Sequence, residues 1–152
     1  MSADLRVLVL APYPLRSAPS QRFRFEQYVD LLRDDGIELD VHSLLDREAM
    51  AVLYQPGRLG RKAAAAARAA VRRIADVARA RAHDLALIHR EAFPLGYPVF
   101  ERAVRALGVP YVFDFDDAIY LPNTSSANRT FAALKRPGKT AAIVRGARLV
   151  TA

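Results

Sequence analysis

Five short apolar runs alternate with helical patterns along this chain, and the alternation limits the folds that it can adopt. The apolar runs cover residues 5–11, 37–42, 84–89, 111–113 and 147–152. Helical periodicity covers residues 21–34, 43–50, 59–81, 98–107 and 139–145. Runs without polar alternation need cover on both faces, as strands of a parallel sheet have. The pattern predicts an α/β fold: one Rossmann-like domain with a doubly wound parallel sheet and right-handed crossovers.

The fourth apolar run leads directly into three carboxylates. Residues 111–113 are Tyr-Val-Phe, and Asp114, Asp116 and Asp117 follow within four positions. Three acids this close repel one another unless a positive group or a proton shares the site. Open α/β sheets bind ligands beyond the carboxyl ends of their strands. We therefore expect a functional site here, against the simpler interpretation of a turn cap with two solvated acids.

Two other loops follow strands of the same predicted sheet and carry polar residues. The loop after the first strand ends at Ser20, a predicted N-cap, with Arg22 and Arg24 in the first helical turn. Arginine is unfavourable there against the helix dipole, which favours an anionic ligand such as phosphate. The third strand ends in His89, Arg90 and Glu91, for which we expect a binding role.

Residues 58–82 carry the whole net charge of +7, because eight basic residues stand there against Asp76 alone. The helical pattern 59–81 places four arginines within about 40° of one another on a helical wheel. Val71 and Ile74, with Ala67 and Ala78, lie on another side of the helix. This face is either solvated or binds an anionic lipid surface or another polyanion. The arginines are Arg61, Arg68, Arg72 and Arg79.

Several functional classes find no support in the sequence. There is no cysteine, so disulfides and thiolate metal sites are excluded, which fits a reducing compartment. No secretory signal and no run of 18 apolar residues is present, so we expect a cytoplasmic protein, peripheral at most to a membrane. Dinucleotide, P-loop, zincin and nucleophile-elbow motifs are missing. Aromatics are not interleaved with the basic segment, which argues against nucleic acid as a partner.

Four segments taken together resemble the N-terminal half of a family-4-type glycosyltransferase of the GT-B fold, over essentially the whole chain. They are residues 19–28 (PSQRFRFEQY), 88–96 (IHREAFPLG), 113–119 (FDFDDAI) and 134–140 (LKRPGKT). The resemblance implies two Rossmann-like domains that face each other across a cleft. Residues 1–152 would be the acceptor-side domain, truncated at its C-terminal end, and the donor-binding domain would be absent.

The resemblance also implies the roles of the candidate residues. A sugar would pass from a nucleotide-sugar to a hydroxyl acceptor with retained configuration and without a metal, and the isolated chain would be inactive. Asp116 and Asp117 would lie nearest the reacting centre. Ser20, Arg22, Arg24, His89, Arg90, Glu91 and Asp114 would bind the acceptor or a phosphate. No cofactor is expected in this domain. The nucleotide-sugar would bind the missing C-terminal domain. If the basic helix lies on a membrane, a lipid-linked acceptor would suit this enzyme.

One departure from the family pattern is Pro12-Tyr13-Pro14, where many relatives have a glycine pair that approaches phosphates.

Two alternatives to the glycosyltransferase hypothesis stay open. Residues 113–117 also resemble motif I of haloacid-dehalogenase-type phosphatases, in which Asp114 would be the nucleophile and Asp116 the general acid with magnesium, although Ala118 departs from that motif. The third hypothesis is a polyanion- or membrane-binding module that acts through residues 58–82.

Overall fold

The computed structural model describes residues 4–55, 57–116, 119 and 138–152. These residues form one Rossmann-like α/β domain with a five-stranded, all-parallel sheet. The strands are β1 (Leu5–Ala11), β2 (Ile37–Ser43), β3 (Leu85–His89), β4 (Tyr111–Asp114) and β5 (Leu149–Thr151). The helices are α1 (Pro19–Arg24), α2 (Val29–Asp34), α3 (Arg47–Tyr54), α4 (Leu59–Ala78), α5 (Val99–Ala106) and α6 (Lys139–Gly146). The predicted fold class is therefore confirmed.

The strand order is β2-β1-β3-β4-β5, so the direction of winding reverses between β1 and β3. In sheets of this kind, a crevice opens at the reversal point beyond the carboxyl ends of the strands. The loop that follows β1 and the loop that follows β3 both reach this edge. The fold thus places two of the predicted polar loops beside one another.

Both faces of the sheet carry an apolar core, as a continuous apolar strand requires. On one face, Val7, Val9 and Ala11 of β1 pack with Phe25. On the other face, Leu8 and Leu10 belong to a larger cluster. That cluster also contains Val77, Ala80, Ala86, Ile88, Val104, Tyr111, Phe113 and Ile143.

Three boundary predictions need correction. The helix predicted over 21–34 is broken into α1, a 3-10 turn at Glu26–Tyr28 and α2, with Phe25 at the break. Ser20 is not the N-cap, because α1 begins at Pro19 and the cap position is Ala18. The helix predicted after Ser43 begins at Arg47 instead, because Asp46 accepts a hydrogen bond of 2.7 Å from the Ala49 amide.

Helix α4 ends at Ala78 rather than at the predicted residue 81, and a 3-10 turn at Arg79–Ala82 follows it. Its buried residues include Lys62, Arg73 and Asp76. Two of its β-branched residues point outward, since Val71 is 68% exposed and Ile74 is 61% exposed, whereas Val77 is buried. The helix therefore packs on the domain through charged, small and apolar side chains, and a second set of apolar side chains faces solvent.

Candidate functional site

Three side chains form a hydrogen-bonded chain in the crevice at the carboxyl edge of the sheet. Ser20 Oγ lies 2.9 Å from Nε2 of His89, and Nδ1 of His89 lies 2.7 Å from Oδ2 of Asp114. His89 is fully buried, and the edge of its ring packs at 5.8 Å (centroid to centroid) against Phe25. Ser20 is half-buried. The chain thus connects a buried carboxylate through an imidazole to the hydroxyl of a half-buried serine.

The register of the sheet explains why these groups meet. His89 is the register partner of Asp114, and Asp114 is the register partner of Thr151 on β5. Register partners on adjacent strands point to the same face of a sheet, so the three polar side chains lie in one row. Ser20 and Arg24 reach this row from α1, which covers the same face.

Both carboxylate oxygens of Asp114 are engaged. Oδ1 accepts from Arg24 Nε at 2.9 Å, from a second nitrogen of the same guanidinium, and from the Thr151 hydroxyl at 2.6 Å. Oδ2 faces His89. Burial alone would raise the pKa of Asp114, but hydrogen bonds from His89, Arg24 and Thr151 outweigh it and hold this pKa well below its usual range. Asp114 is therefore a fixed negative charge.

A second pair of charges stands next to this chain. Arg90 Nε lies 3.7 Å from Oδ1 of Asp116, and the two side chains are 21% and 29% exposed. The backbone of Arg90 is left-handed, with φ of 67°, and its amide donates to the Asp114 carbonyl at 2.6 Å. A non-glycine residue in this region is strained, and such residues cluster at functional sites.

The remaining predicted site residues lie elsewhere or cannot be placed. The guanidinium of Arg22 is exposed and lies 5.2 Å from the ring centroid of Phe23. Arg24 is not free for a phosphate, because it binds Asp114. Glu91 pairs with Lys139 at the start of α6, at 3.6 Å. Asp117 lies outside the described residues.

The four arginines predicted to form a basic face are all exposed on α4 and the turn that follows it. Arg72 pairs with Asp46 at 3.0 Å, and Arg79 pairs with Asp76 at 3.4 Å. For Arg61 and Arg68, no ion pair is found with any residue that the structure describes. This face is therefore positive and open to solvent.

The sequence analysis missed two residues that organise this edge. Thr151 binds Asp114, and only the register of the fifth strand would have indicated it. Arg73 is fully buried and donates to three backbone carbonyls, those of Ala11, His42 and Ala92, at 2.9, 3.2 and 2.8 Å. Arginine is seldom buried unless it is paired, so a lone sequence gives no sign of this clamp.

Within residues 4–55, 57–116, 119 and 138–152, no group of three or more His, Asp or Glu side chains is arranged to hold a metal ion. In the same part of the chain, no helix is long and apolar enough to cross a membrane. The groups that converge in the crevice instead offer directional hydrogen bonds. They suit the recognition or orientation of a polar ligand that carries hydroxyl groups.

The chain matches no protein-family model, and no curated protein matches it.

Proposed function

We propose that this chain is the acceptor-side domain of a retaining glycosyltransferase, which passes a sugar from a nucleotide-sugar to a hydroxyl acceptor. The observation that carries the proposal is the Ser20–His89–Asp114 hydrogen-bonded chain, which ends in a half-buried hydroxyl at the reversal point of the sheet. The resemblance assigns the acceptor to these same loops. The donor site is assigned to a second α/β domain.

The ionised state of Asp114 determines which hydrogen bonds the Ser20 hydroxyl can make. An ionised carboxylate only accepts, so Nδ1 of a neutral His89 carries the proton and Nε2 accepts from the Ser20 hydroxyl. The lone pairs of Ser20 Oγ then remain for another donor. They are placed to accept a hydrogen bond from an incoming sugar hydroxyl.

The Arg90–Asp116 pair supplies the complementary groups. A guanidinium donates and a carboxylate accepts, so together they satisfy neighbouring hydroxyls of a pyranose. Both side chains are partly exposed beside the Ser20 chain. In this proposal Asp116 lies nearest the reacting hydroxyl, with Asp117, and no cofactor or nucleic acid is bound. The protein acts on the cytoplasmic side, where nucleotide-sugars are supplied.

The phosphatase hypothesis is less well supported. It needs one free oxygen on Asp114 to attack phosphorus and the other to bind magnesium. Both oxygens of Asp114 are instead engaged by Arg24, Thr151 and His89. An arginine on the nucleophile would also lower its nucleophilicity.

A second candidate function is acyl transfer, because Ser20, His89 and Asp114 have the connectivity of a Ser-His-Asp triad. The positive charge of Arg24 beside Asp114 argues against acyl transfer, because it weakens the electrostatic stabilisation that the carboxylate gives to an imidazolium. A fluorophosphonate probe distinguishes the two functions. Covalent labelling of Ser20, seen as a mass increase on its peptide, would support acyl transfer over sugar binding.

The experiment that tests the main proposal is NMR titration of the ¹⁵N-labelled chain with soluble mono- and disaccharides and, separately, with nucleotide-sugars. We expect a sugar acceptor to shift amides near Ser20 and Arg90. Ser20→Ala should weaken that binding about tenfold, the value of one hydrogen bond to a buried network. Ser17→Ala is the matched control, because Ser17 lies in the loop just before α1 and is exposed.

The opposite result would be equally informative. Magnesium-dependent release of phosphate from a phosphomonoester, abolished by Asp114→Asn, would replace the proposal with the phosphatase hypothesis. Shifts confined to nucleotide-sugars, without any acceptor among the sugars, would mean that the chain forms the donor side instead.

A further inference from the structure

Helix α4 extends beyond the carboxyl edge of the sheet. Its residue Arg73 donates to the carbonyl of Ala11, the last residue of β1, and to that of His42 near the end of β2. The helix begins at Leu59, fourteen residues earlier. At 1.5 Å per residue, about 20 Å of helix therefore lies past this edge. We call residues 47–54 and 59–72, in which α3 packs against α4, the helical arm.

Helix α4 and the 3-10 turn that follows it present two adjacent stripes to solvent. One stripe is small and apolar, with spacings of four and three residues, and all its members are exposed. Its members are Gly60, Ala64, Ala67, Val71, Ile74 and Ala78. The other stripe is the row of arginines, Arg61, Arg68, Arg72 and Arg79, about 100° away around the helix.

Two of these arginines are offset, Arg72 by Asp46 and Arg79 by Asp76, whereas Arg61 and Arg68 form no ion pair with any described residue. The sole acidic residue of this helix, Asp76, is 3% exposed at its side chain and contacts His42 at 2.8 Å. A second copy of the chain would bring arginines against arginines, which repel one another. The surface is complementary to a layer that combines negative charge with apolar depth.

We propose that the outer surface of α4 docks on an anionic membrane surface. The helix would lie in the plane of the headgroups, with Val71 and Ile74 inserted at the acyl boundary and the arginines on lipid phosphates. That a lipid carries the acceptor sugar rests on the proposed function; the docking itself does not.

The test is co-sedimentation of the full chain with vesicles of phosphatidylcholine alone and of phosphatidylcholine with 30% phosphatidylglycerol. We expect binding to the anionic vesicles only, weakening as salt rises. Arg61→Gln with Arg68→Gln should reduce the affinity about 30-fold. Val71→Ser with Ile74→Ser should reduce it about tenfold.

The matched control replaces Arg33 and Leu31 on α2 by Gln and Ser. Both are exposed, Leu31 at 60%, but they lie on another helix, so this variant should bind like the wild type. All six substituted residues are exposed, so the variants should remain folded. Circular dichroism melts check that they do.

Three outcomes would overturn the proposal. One is equal binding to neutral vesicles. Another is binding to heparin or RNA that the Val71 and Ile74 changes leave intact, which would indicate a polyanion site. The third is self-association in sedimentation velocity that the same changes abolish. Failure of vesicle binding would leave the titration with soluble sugars unaffected, so the two proposals fail separately.

Discussion

His89 and Asp114 are register partners on adjacent strands, and their side chains also share a hydrogen bond of 2.7 Å between Nδ1 and Oδ2. The bond joins the two strands whose ends line the crevice. Arg24 from α1 and Thr151 from β5 bind the other oxygen of the same carboxylate. Asp114 therefore connects three strands and a helix, and changes at this position should affect stability as well as binding.

Asp114→Asn should destabilise the domain. The amide keeps the shape of the carboxylate but loses its charge. Its nitrogen only donates, so either Arg24 and Thr151 or His89 loses its acceptor. Breaking a buried ion pair costs about 3 to 5 kcal/mol, and we expect about 2 to 3 kcal/mol here because the Arg24 side chain is 28% exposed. Urea denaturation measures the change. Asp30→Asn is the control, since Asp30 pairs with Arg33 on the surface, and it should cost less than 0.5 kcal/mol, roughly the value of an exposed pair.

The same carboxylate predicts how stability depends on pH. The folded-state pKa of Asp114 is lowered relative to that of the unfolded chain, so its contribution is present above an unfolded pKa of about 4. That contribution is lost as the pH falls from this value towards the folded pKa. Asp114→Asn should therefore flatten the fall of unfolding free energy between about pH 4 and pH 2.

A part of the acid dependence should survive in that variant. Burial of Asp40 is outweighed by hydrogen bonds from His42 and His83, so the pKa of Asp40 is also lowered. An Ala49 amide lowers the pKa of Asp46 in the same sense. An unchanged slope in Asp114→Asn would mean that Asp114 does not titrate between the folded and unfolded states as the geometry implies.

The sequence predicted the fold because its apolar runs are local signals. Residues 7–11 and 85–88 are apolar without alternation, and this pattern identifies buried strands before any partner is known. It also predicted that Ser20, His89 and Asp114 belong to one edge, since the carboxyl ends of parallel strands meet there. The direction of each side chain depends on strand register, which is a tertiary property.

The failures have the same origin. Serine is a common N-cap residue, but the hydroxyl of Ser20 binds His89, which is 69 residues away in sequence. Helical periodicity indicates an apolar face on α4, yet periodicity alone does not decide which face packs. Arg73 determines which face of α4 packs on the sheet. Its hydrogen bonds to strand-end carbonyls fix the rotation of the helix and turn Val71 outward.

Replacing this buried arginine is the third prediction. Arg73→Met keeps the length of the side chain and loses the hydrogen bonds to the carbonyls of Ala11, His42 and Ala92. The buried carboxylate of Asp76 would also lose Arg73 as one of its cationic partners. Burial lowers the pKa of Arg73 only to about 10, so the guanidinium is charged at neutral pH. We expect a loss of about 3 kcal/mol in unfolding free energy.

Arg81→Met is the control for Arg73→Met. Arg81 is exposed in the 3-10 turn that follows α4, so its replacement should change stability by less than about 0.5 kcal/mol. Equal effects of the two variants would show that the buried hydrogen bonds do not hold α4 on the sheet edge.

The fourth prediction concerns the close approach of α6 to β4. The Tyr111 hydroxyl donates to the Ile143 carbonyl at 2.6 Å, and burial raises the pKa of Tyr111 to about 12. A Cβ at Gly146 would lie 2.4 Å from that hydroxyl oxygen, with the next atom at 3.4 Å. Gly146→Ala should therefore destabilise the domain by about 1 to 3 kcal/mol, the cost of overpacking, although alanine favours helix.

A double variant isolates the clash. Tyr111→Phe removes the oxygen and one hydrogen bond, at a cost of about 1 kcal/mol. In that background, Gly146→Ala should be neutral or stabilising, because the remaining ring carbon lies at ordinary contact distance. Gly60→Ala on α4 is the matched control; no atom lies within 4 Å of its Cβ, and it should stabilise by up to about 1 kcal/mol. Thermal and urea melts of the four proteins give the coupling energy, and additive effects would contradict the contact.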